Sequence, residues 1–141
     1  MNPDNEFATA IEAGDVEAIR SFIATNPAAV DGPGWTPPPL HCAVLWNQPA
    51  VAEVLLDNGA DIERRDPDAD TTPLRYAVMY AKPQLIRLLI ARGANSGPIK
   101  DNGTTALQLA KNALAGEFKD FEDLPRPKEY AAIVKLLEEL T

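Results

Sequence analysis

The chain has 141 residues, of which 45% are apolar and 24% are charged, a composition typical of a folded domain rather than of a disordered segment. Its net charge of −8 argues against binding to nucleic acid or to an anionic membrane, because both require a positive protein surface. One cysteine, Cys42, and one histidine, His41, exclude an internal disulfide and a metal site built from several Cys or His ligands.

The sequence repeats itself with a period of 33–34 residues. The matching segments are residues 39–44, 73–78 and 104–110 for one part of the unit and 55–61 and 88–95 for another, with a divergent copy that starts at Phe7. Self-similarity at this period is typical of repeat proteins, in which each unit buries its apolar face against its neighbours. The sequence therefore predicts a single domain built from similar units.

Each unit is predicted to contain two short helices and a turn. The units are an N-terminal capping repeat at about 3–35, a repeat at 36–69, a repeat at 70–102 and a C-terminal capping repeat at 103–141. Proline is well tolerated at the first helical position, where its missing N–H would have no intrahelical partner. The second helices are therefore predicted to begin at Pro49 and Pro83, and Gly59 and Gly93 to end them as left-handed C-caps.

In each repeat the first helix comes before this second helix. The third repeat, for example, is predicted to have its first helix over residues 72–81, and Thr72 and Thr105 are candidate N-caps of first helices. The last unit contains a 15-residue insertion at 114–128, after which an apolar pattern resumes for the final helix. The insertion carries three large apolar side chains among charged ones, namely Phe118, Phe121 and Leu124. Two interpretations stay open: a turn that covers the end of the core, or a finger that contacts a partner.

These motifs resemble those of ankyrin-repeat proteins. The run Thr-Pro-Leu-Arg at 72–75 is similar to that family's Thr-Pro-Leu-His motif with Arg75 in place of His, and the run Pro-Pro-Leu-His at 38–41 retains His41. The resemblance covers nearly the whole chain and implies an all-α fold, an α-solenoid of about four stacked helix-turn-helix repeats with the insertion in the last. In the family this histidine links neighbouring loops, so we expect the later loops, which lack it, to be less rigid.

The resemblance also implies a concave surface lined by the turns and the first helices. The candidate partner-binding residues on it are Trp35, Leu45, Trp46, Tyr76, Met79 and Tyr80. Trp and Tyr dominate binding hot spots because each offers a large contact area and one polar atom. The alternative is that these aromatic side chains pack in the core, between units or under the insertion.

Catalysis finds little support in the sequence. His41 and Cys42 are neighbours at the start of a helix, so their side chains diverge by about 100° and do not form a base–nucleophile pair. The acidic residues between 61 and 70 lack the spacing of an EF-hand loop. We therefore expect no enzymatic activity, no catalytic residue, no metal and no cofactor.

The function that we expect is protein–protein interaction, as an inhibitor, adaptor or scaffold. Residues 1–70 carry 13 acidic and 3 basic side chains, which indicates either a solvated face or a surface that steers a basic partner, for example a toxin blocked by an immunity-type protein. The alternative is a small-ligand or nucleotide receptor, which would need a basic, aromatic-lined pocket.

The sequence also bears on location and assembly. There is no apolar run of about 18 residues and no basic segment followed by an apolar one at the start, so neither a membrane helix nor a secretion signal is expected. A lone cysteine fits the reducing cytoplasm. The oligomeric state is not defined by the sequence, and a monomer is the working expectation.

Overall fold

The computed structural model describes residues 3–32, 35, 37–98 and 103–141, with side chains from residue 6 onward. The predicted junction at residue 36 and the loop tip at 99–102, where the third predicted repeat ends, lie outside these ranges. Within them every regular element is helical, which confirms the predicted all-α class. None of the helices in the described part of the chain is long and apolar enough to cross a membrane.

Eight α-helices and two short 3-10 segments make up the described structure. The helices are α1 Pro3–Ala13, α2 Val16–Thr25, α3 Pro39–Leu45, α4 Pro49–Asp57, α5 Pro73–Met79, α6 Pro83–Ala91, α7 Ala106–Leu114 and α8 Tyr130–Leu140, and the 3-10 segments are Pro27–Asp31 and Pro127–Glu129. They fall into two compact units, Met1–Pro73 and Leu74–Thr141.

The first unit contains two helix pairs. Helix α1 packs on α2 and α3 packs on α4, and the pairs meet through contacts of α1 with α3 and of α2 with α4. The buried side chains between them are Phe7, Ile11, Ile19, Ile23, Leu40, Val44, Val51 and Leu55. One helix pair cannot bury its apolar stripe alone, so this side-by-side arrangement creates the core.

The second unit is centred on α8. This helix packs on α6 and α7, and the 3-10 segment Pro127–Glu129 contacts both α7 and α8. Its core side chains include Leu74, Val78, Leu85, Ile86, Leu89, Leu109, Tyr130, Ile133 and Leu137.

The predicted helix boundaries hold where a single residue determines them locally. Helices α4 and α6 begin at Pro49 and Pro83, and Gly59 and Gly93 adopt φ of 93° and 92° just after those helices end. The hydroxyl of Thr105 accepts a hydrogen bond from the backbone N–H of Gln108 at 3.0 Å, which confirms it as the N-cap of α7.

The first helix of the third repeat is shorter than predicted. We expected a helix over 72–81, but α5 ends at Met79, because Ala81 has a left-handed φ of 53°. Gly14 and Asn47, which lie 67 and 34 residues earlier, also have positive φ, at 72° and 52°. In three of the repeats, the turn between the two helices thus contains a residue with a left-handed backbone conformation, even where that residue is alanine.

Candidate functional site

Trp46 is the most exposed of the predicted contact residues. It follows α3, which ends at Leu45, and its backbone N–H donates to the carbonyl of Cys42 at 2.9 Å. Its side chain is 48% exposed, and Leu45 beside it is half-buried. Asn47 then turns the chain with φ of 52°. The indole is therefore presented on a turn whose backbone is held at both ends.

Trp35 has a different environment, against the first helix pair. Its half-buried ring is tilted on Phe7 with a centroid distance of 5.4 Å, and Phe7 in turn stacks on Phe22 at 4.7 Å. Gly32 passes so close that a Cβ there would lie 2.6 Å from Pro39 and 3.0 Å from Trp35. Gly32 also has a left-handed φ of 52°, which residues with a side chain rarely adopt. Trp35 thus packs at a position where only glycine fits without strain.

Tyr76, Met79 and Tyr80 belong to the second unit. Tyr76 is buried in α5, Tyr80 lies half-buried just after it, and their rings meet edge to face with a centroid distance of 4.8 Å. Met79 is also half-buried, and its carbonyl accepts a hydrogen bond from the hydroxyl of Tyr130. Of the predicted residues the structure brings these two tyrosines into contact, and it places Trp35 and Trp46 in the first unit.

Two repeats are linked to the following loop by equivalent hydrogen bonds. In the first unit the Nε2 of His41 lies 2.8 Å from the carbonyl oxygen of Thr71, so this nitrogen carries the proton and donates. In the second unit the guanidinium of Arg75 donates to the carbonyl of Thr104 at 2.7 Å. We name these two bonds the loop clasps.

Arg75 links the loop after the third predicted repeat, which we expected to be less rigid because this repeat lacks the histidine. Its side chain is only 6% exposed, and it reaches a residue 29 positions ahead, as His41 reaches one 30 positions ahead. This role was not predicted from the sequence, because only histidine was considered as the donor to the loop. Any side chain that can donate a hydrogen bond from this position in the repeat can serve the same carbonyl. The sequence did contain a signal for this role, because Arg75 occupies the same position in its repeat as His41.

His41 is a buried hydrogen-bond donor to the loop that follows its repeat. Burial lowers its pKa below the ordinary 6.5 and outweighs the opposing effects of the Thr71 carbonyl and the carboxylate of Asp66. The imidazole is therefore neutral and acts as a structural donor.

Cys42 is a poor nucleophile. Burial, followed by the negative charge of Asp66, raises the pKa of the thiol to about 11, and its Sγ lies 3.4 Å from the carbonyl oxygen of Pro37. We expect the native thiol to react with a disulfide reagent at pH 8 at least about 10-fold more slowly than the thiol of the unfolded chain. A rise of the pKa from 9.0 to about 11 lowers the thiolate fraction about 100-fold, and the higher nucleophilicity of a more basic thiolate offsets about 10-fold of that loss. Absorbance of the released thiolate, with and without urea, measures both rates. Equal rates would contradict the half-buried placement of Cys42 and its raised pKa.

The acidic loop at 61–70 has a structural explanation. The backbone N–H of Asp66 donates to the carbonyl of Thr71 at 3.0 Å, and that of Asp70 donates back to Asp66 at 2.7 Å. Arg65 contacts the carboxylate of Asp70 at 2.7 Å. No group of three or more His, Cys, Asp or Glu side chains in the described residues is arranged to hold a metal ion.

A cavity of about 350 Å³ lies between α1 and α2 and bears on the alternative of a small-ligand receptor. Its lining residues are Glu6, Phe7, Ala10, Ala18, Ser21 and Phe22. The only charged residue among them is acidic, so this cavity does not suit an anionic ligand such as a nucleotide.

Comparison with known proteins agrees with this architecture. A family model of ankyrin repeats (many copies) matches residues 40–90. The chain is 32% identical over 123 residues to protein phosphatase 1 regulatory subunit 27 of Mus musculus, and 31% identical over 121 residues to the protein of that name from Homo sapiens; each match covers 84% of this chain and 74% of the relative. It is also 28% identical over 122 residues to the BTB/POZ domain and ankyrin repeat-containing protein NPR1 of Malus hupehensis, which covers 86% of this chain and 18% of that protein. The chain therefore belongs to the ankyrin-repeat family, and its described elements have the all-α, helix-turn-helix repeat fold of that family.

Proposed function

We propose that this protein is a regulatory module that binds a partner protein through the concave face of its repeats and acts as an inhibitor, adaptor or scaffold. Membership of the ankyrin-repeat family and the regulatory names of its relatives support a protein-interaction role. The observation that carries the proposal is the exposure of Trp46: an indole left 48% in solvent on a constrained turn is ready to be buried by a partner.

The contact residues that we propose are Trp35, Leu45, Trp46, Tyr76, Met79 and Tyr80. Trp46 acts as the anchor, since it has the most apolar area left to bury. The edge-to-face pair of Tyr76 and Tyr80 offers a second aromatic contact, with Tyr80 the more accessible ring. Leu45 adds apolar area next to Trp46 in the sequence, and Met79 does so next to Tyr80. Because Trp35 packs on Phe7 and the two tyrosines pack on each other, these rings lose little side-chain entropy when a partner binds.

The partner that we propose has a basic surface. Residues 1–70 carry a net charge of −10, and the exposed side chains of Asp61, Asp68 and Asp70 contribute to it on one loop. Such a surface accelerates association with a basic protein, and a rise in ionic strength slows that association. An immunity-type blocker of a basic toxin in the cytoplasm is one concrete form of this function. A regulatory subunit of a protein phosphatase is another, suggested by the name of the relatives.

The test compares the native chain with the Trp46→Ala/Tyr80→Ala variant. Partners are captured on each from an extract and quantified by mass spectrometry, and affinity for the recovered partner is measured by calorimetry. The catalytic subunit of protein phosphatase 1 is assayed in parallel. We expect the double variant to bind at least about 30-fold more weakly, which corresponds to about 2 kcal/mol for a hot spot.

The control for this test is Arg87→Ala, which removes an exposed side chain from α6, outside the proposed contact set. It should bind like the native chain. If the double variant retains its full partner set and affinity with an unchanged circular dichroism spectrum, the aromatic residues are not the binding site.

A further inference from the structure

The two phenylalanines of the insertion have different environments. Phe118 is half-buried, and its ring lies 6.5 Å from that of Tyr130, which is fully buried. Burial, then the charge of Glu129, raises the pKa of Tyr130 to about 12, so its hydroxyl stays protonated and can donate to the Met79 carbonyl. Phe118 thus packs against the core of the second unit, as in the interpretation of the insertion as a turn that covers the end of the core.

Phe121 is not needed for that role. Its side chain is 60% exposed and touches Phe118 only edge-on, with a centroid distance of 6.1 Å and an interplanar angle of 79°. A phenylalanine in this position leaves a large apolar area in water, at a free-energy cost that burial against another molecule would remove.

The backbone holds this ring in its outward position. Successive tight turns run through the insertion: the N–H of Lys119 donates to Gly116, that of Phe121 to Phe118, and that of Leu124 to Phe121, at 3.1, 3.0 and 3.2 Å. Gly116 begins them with φ of 102°. A side chain presented on an ordered turn loses less conformational entropy on binding than one on a flexible loop.

Acidic residues flank Phe121 in the sequence. Residues 117–123 contain four carboxylates and one lysine, a net charge of −3. Asp120, Glu122 and Asp123, the acidic neighbours of Phe121 in sequence, are all exposed. The local field therefore favours a positively charged partner and disfavours an anionic lipid surface.

We propose that the segment 116–124, which we call the insertion knob, is a second docking element, distinct from the concave face. It inserts Phe121 into an apolar pocket of a partner protein, and lysine or arginine side chains around that pocket meet Asp120, Glu122 and Asp123. A second copy of this chain is a poor occupant, because it carries a net charge of −8 whereas the acidic knob favours a basic partner.

The test uses a phage-displayed library of random 16-residue peptides. The library is selected on the full native chain and counter-selected on the Phe121→Ser variant, so that the recovered peptides require the ring. We expect these peptides to combine apolar residues with Lys or Arg. A recovered peptide should bind the Phe121→Ser variant at least 10-fold more weakly by fluorescence anisotropy, and it should shift amide resonances at 117–124 in ¹⁵N-labelled protein.

Two further variants make the test specific. Asp120→Asn/Glu122→Gln/Asp123→Asn should weaken the same peptide and flatten the salt dependence of its affinity. Trp46→Ala should bind it like the native chain, which separates this proposal from that for the concave face. Phe121→Ser should keep the urea midpoint of the native chain, since the ring is mostly exposed.

Three results would overturn the proposal. The selection yields no peptide that depends on Phe121, or the dependent peptides are acidic, or sedimentation velocity shows a dimer of the native chain that Phe121→Ser abolishes. The last result would identify a second copy of the chain as the occupant instead.

Discussion

Replacing Phe7 by Ala should lower the free energy of unfolding by about 3–5 kcal/mol, the usual loss for a buried phenylalanine. Phe7 is almost fully buried in α1, where it stacks on Phe22 and supports the ring of Trp35. The truncation removes two aromatic contacts and leaves a cavity that the short helix pair cannot close. Urea denaturation followed by circular dichroism measures the change.

The same variant tests whether Phe7 positions Trp35. In a Trp46→Phe background Trp35 is the only tryptophan, so its emission reports its environment. We expect Phe7→Ala to shift that emission to longer wavelength, because the half-buried indole becomes more exposed. Phe7→Leu is the matched control, with a loss of at most about 1.5 kcal/mol and little spectral change. A loss below 1 kcal/mol for Phe7→Ala would contradict the packing described for α1.

Replacing Arg75 by Ala should lower the free energy of unfolding by about 2–3 kcal/mol. The guanidinium is 6% exposed and forms one of the two loop clasps, with the carbonyl of Thr104. Its removal leaves that carbonyl without its charged donor, and it also removes the packing of the arginine stem. The measurement is a urea titration of the native chain and the variant under identical conditions.

The control for this prediction is Arg75→His, which introduces the residue that the first unit uses at the equivalent position, His41. Histidine can donate to the same carbonyl, so we expect it to recover at least half of the stability lost in Arg75→Ala. If Arg75→His is as unstable as Arg75→Ala, the position requires the length or charge of arginine. If neither variant is destabilised, the clasp does not contribute to stability.

These loop clasps show how far a motif can be followed from sequence alone. The period of 33–34 residues located both positions, and His41 has the bridging role that the resemblance implied. Arg75 differs from the family's histidine in residue type but shares its capacity to donate over the same span, and the motif alone does not reveal that equivalence. Both clasps join residues about 30 positions apart, so only the folded chain shows which carbonyl each donor meets.

For the candidate contact residues, too, the sequence showed one part and the structure another. Their types and their in-phase positions were visible in the sequence, but their accessibility was not. Trp46 is 48% exposed, whereas Tyr76 is buried against its neighbours and Trp35 is half-covered by Phe7. Periodicity assigns a residue to a position in the repeat, and packing against other helices then determines how much of it remains in solvent.

The sequence by itself determined the repeat period, and its resemblance to ankyrin repeats implied the all-α class. It also determined the helix boundaries at Pro49, Pro83, Gly59 and Gly93, because each boundary depends on the local backbone preference of one residue. Only the tertiary structure decided that Phe118 covers Tyr130 and that Phe121 faces solvent, although both rings lie in the same short insertion. That difference depends on the contact of Phe118 with Tyr130, which begins α8, and no local preference distinguishes two phenylalanines three residues apart.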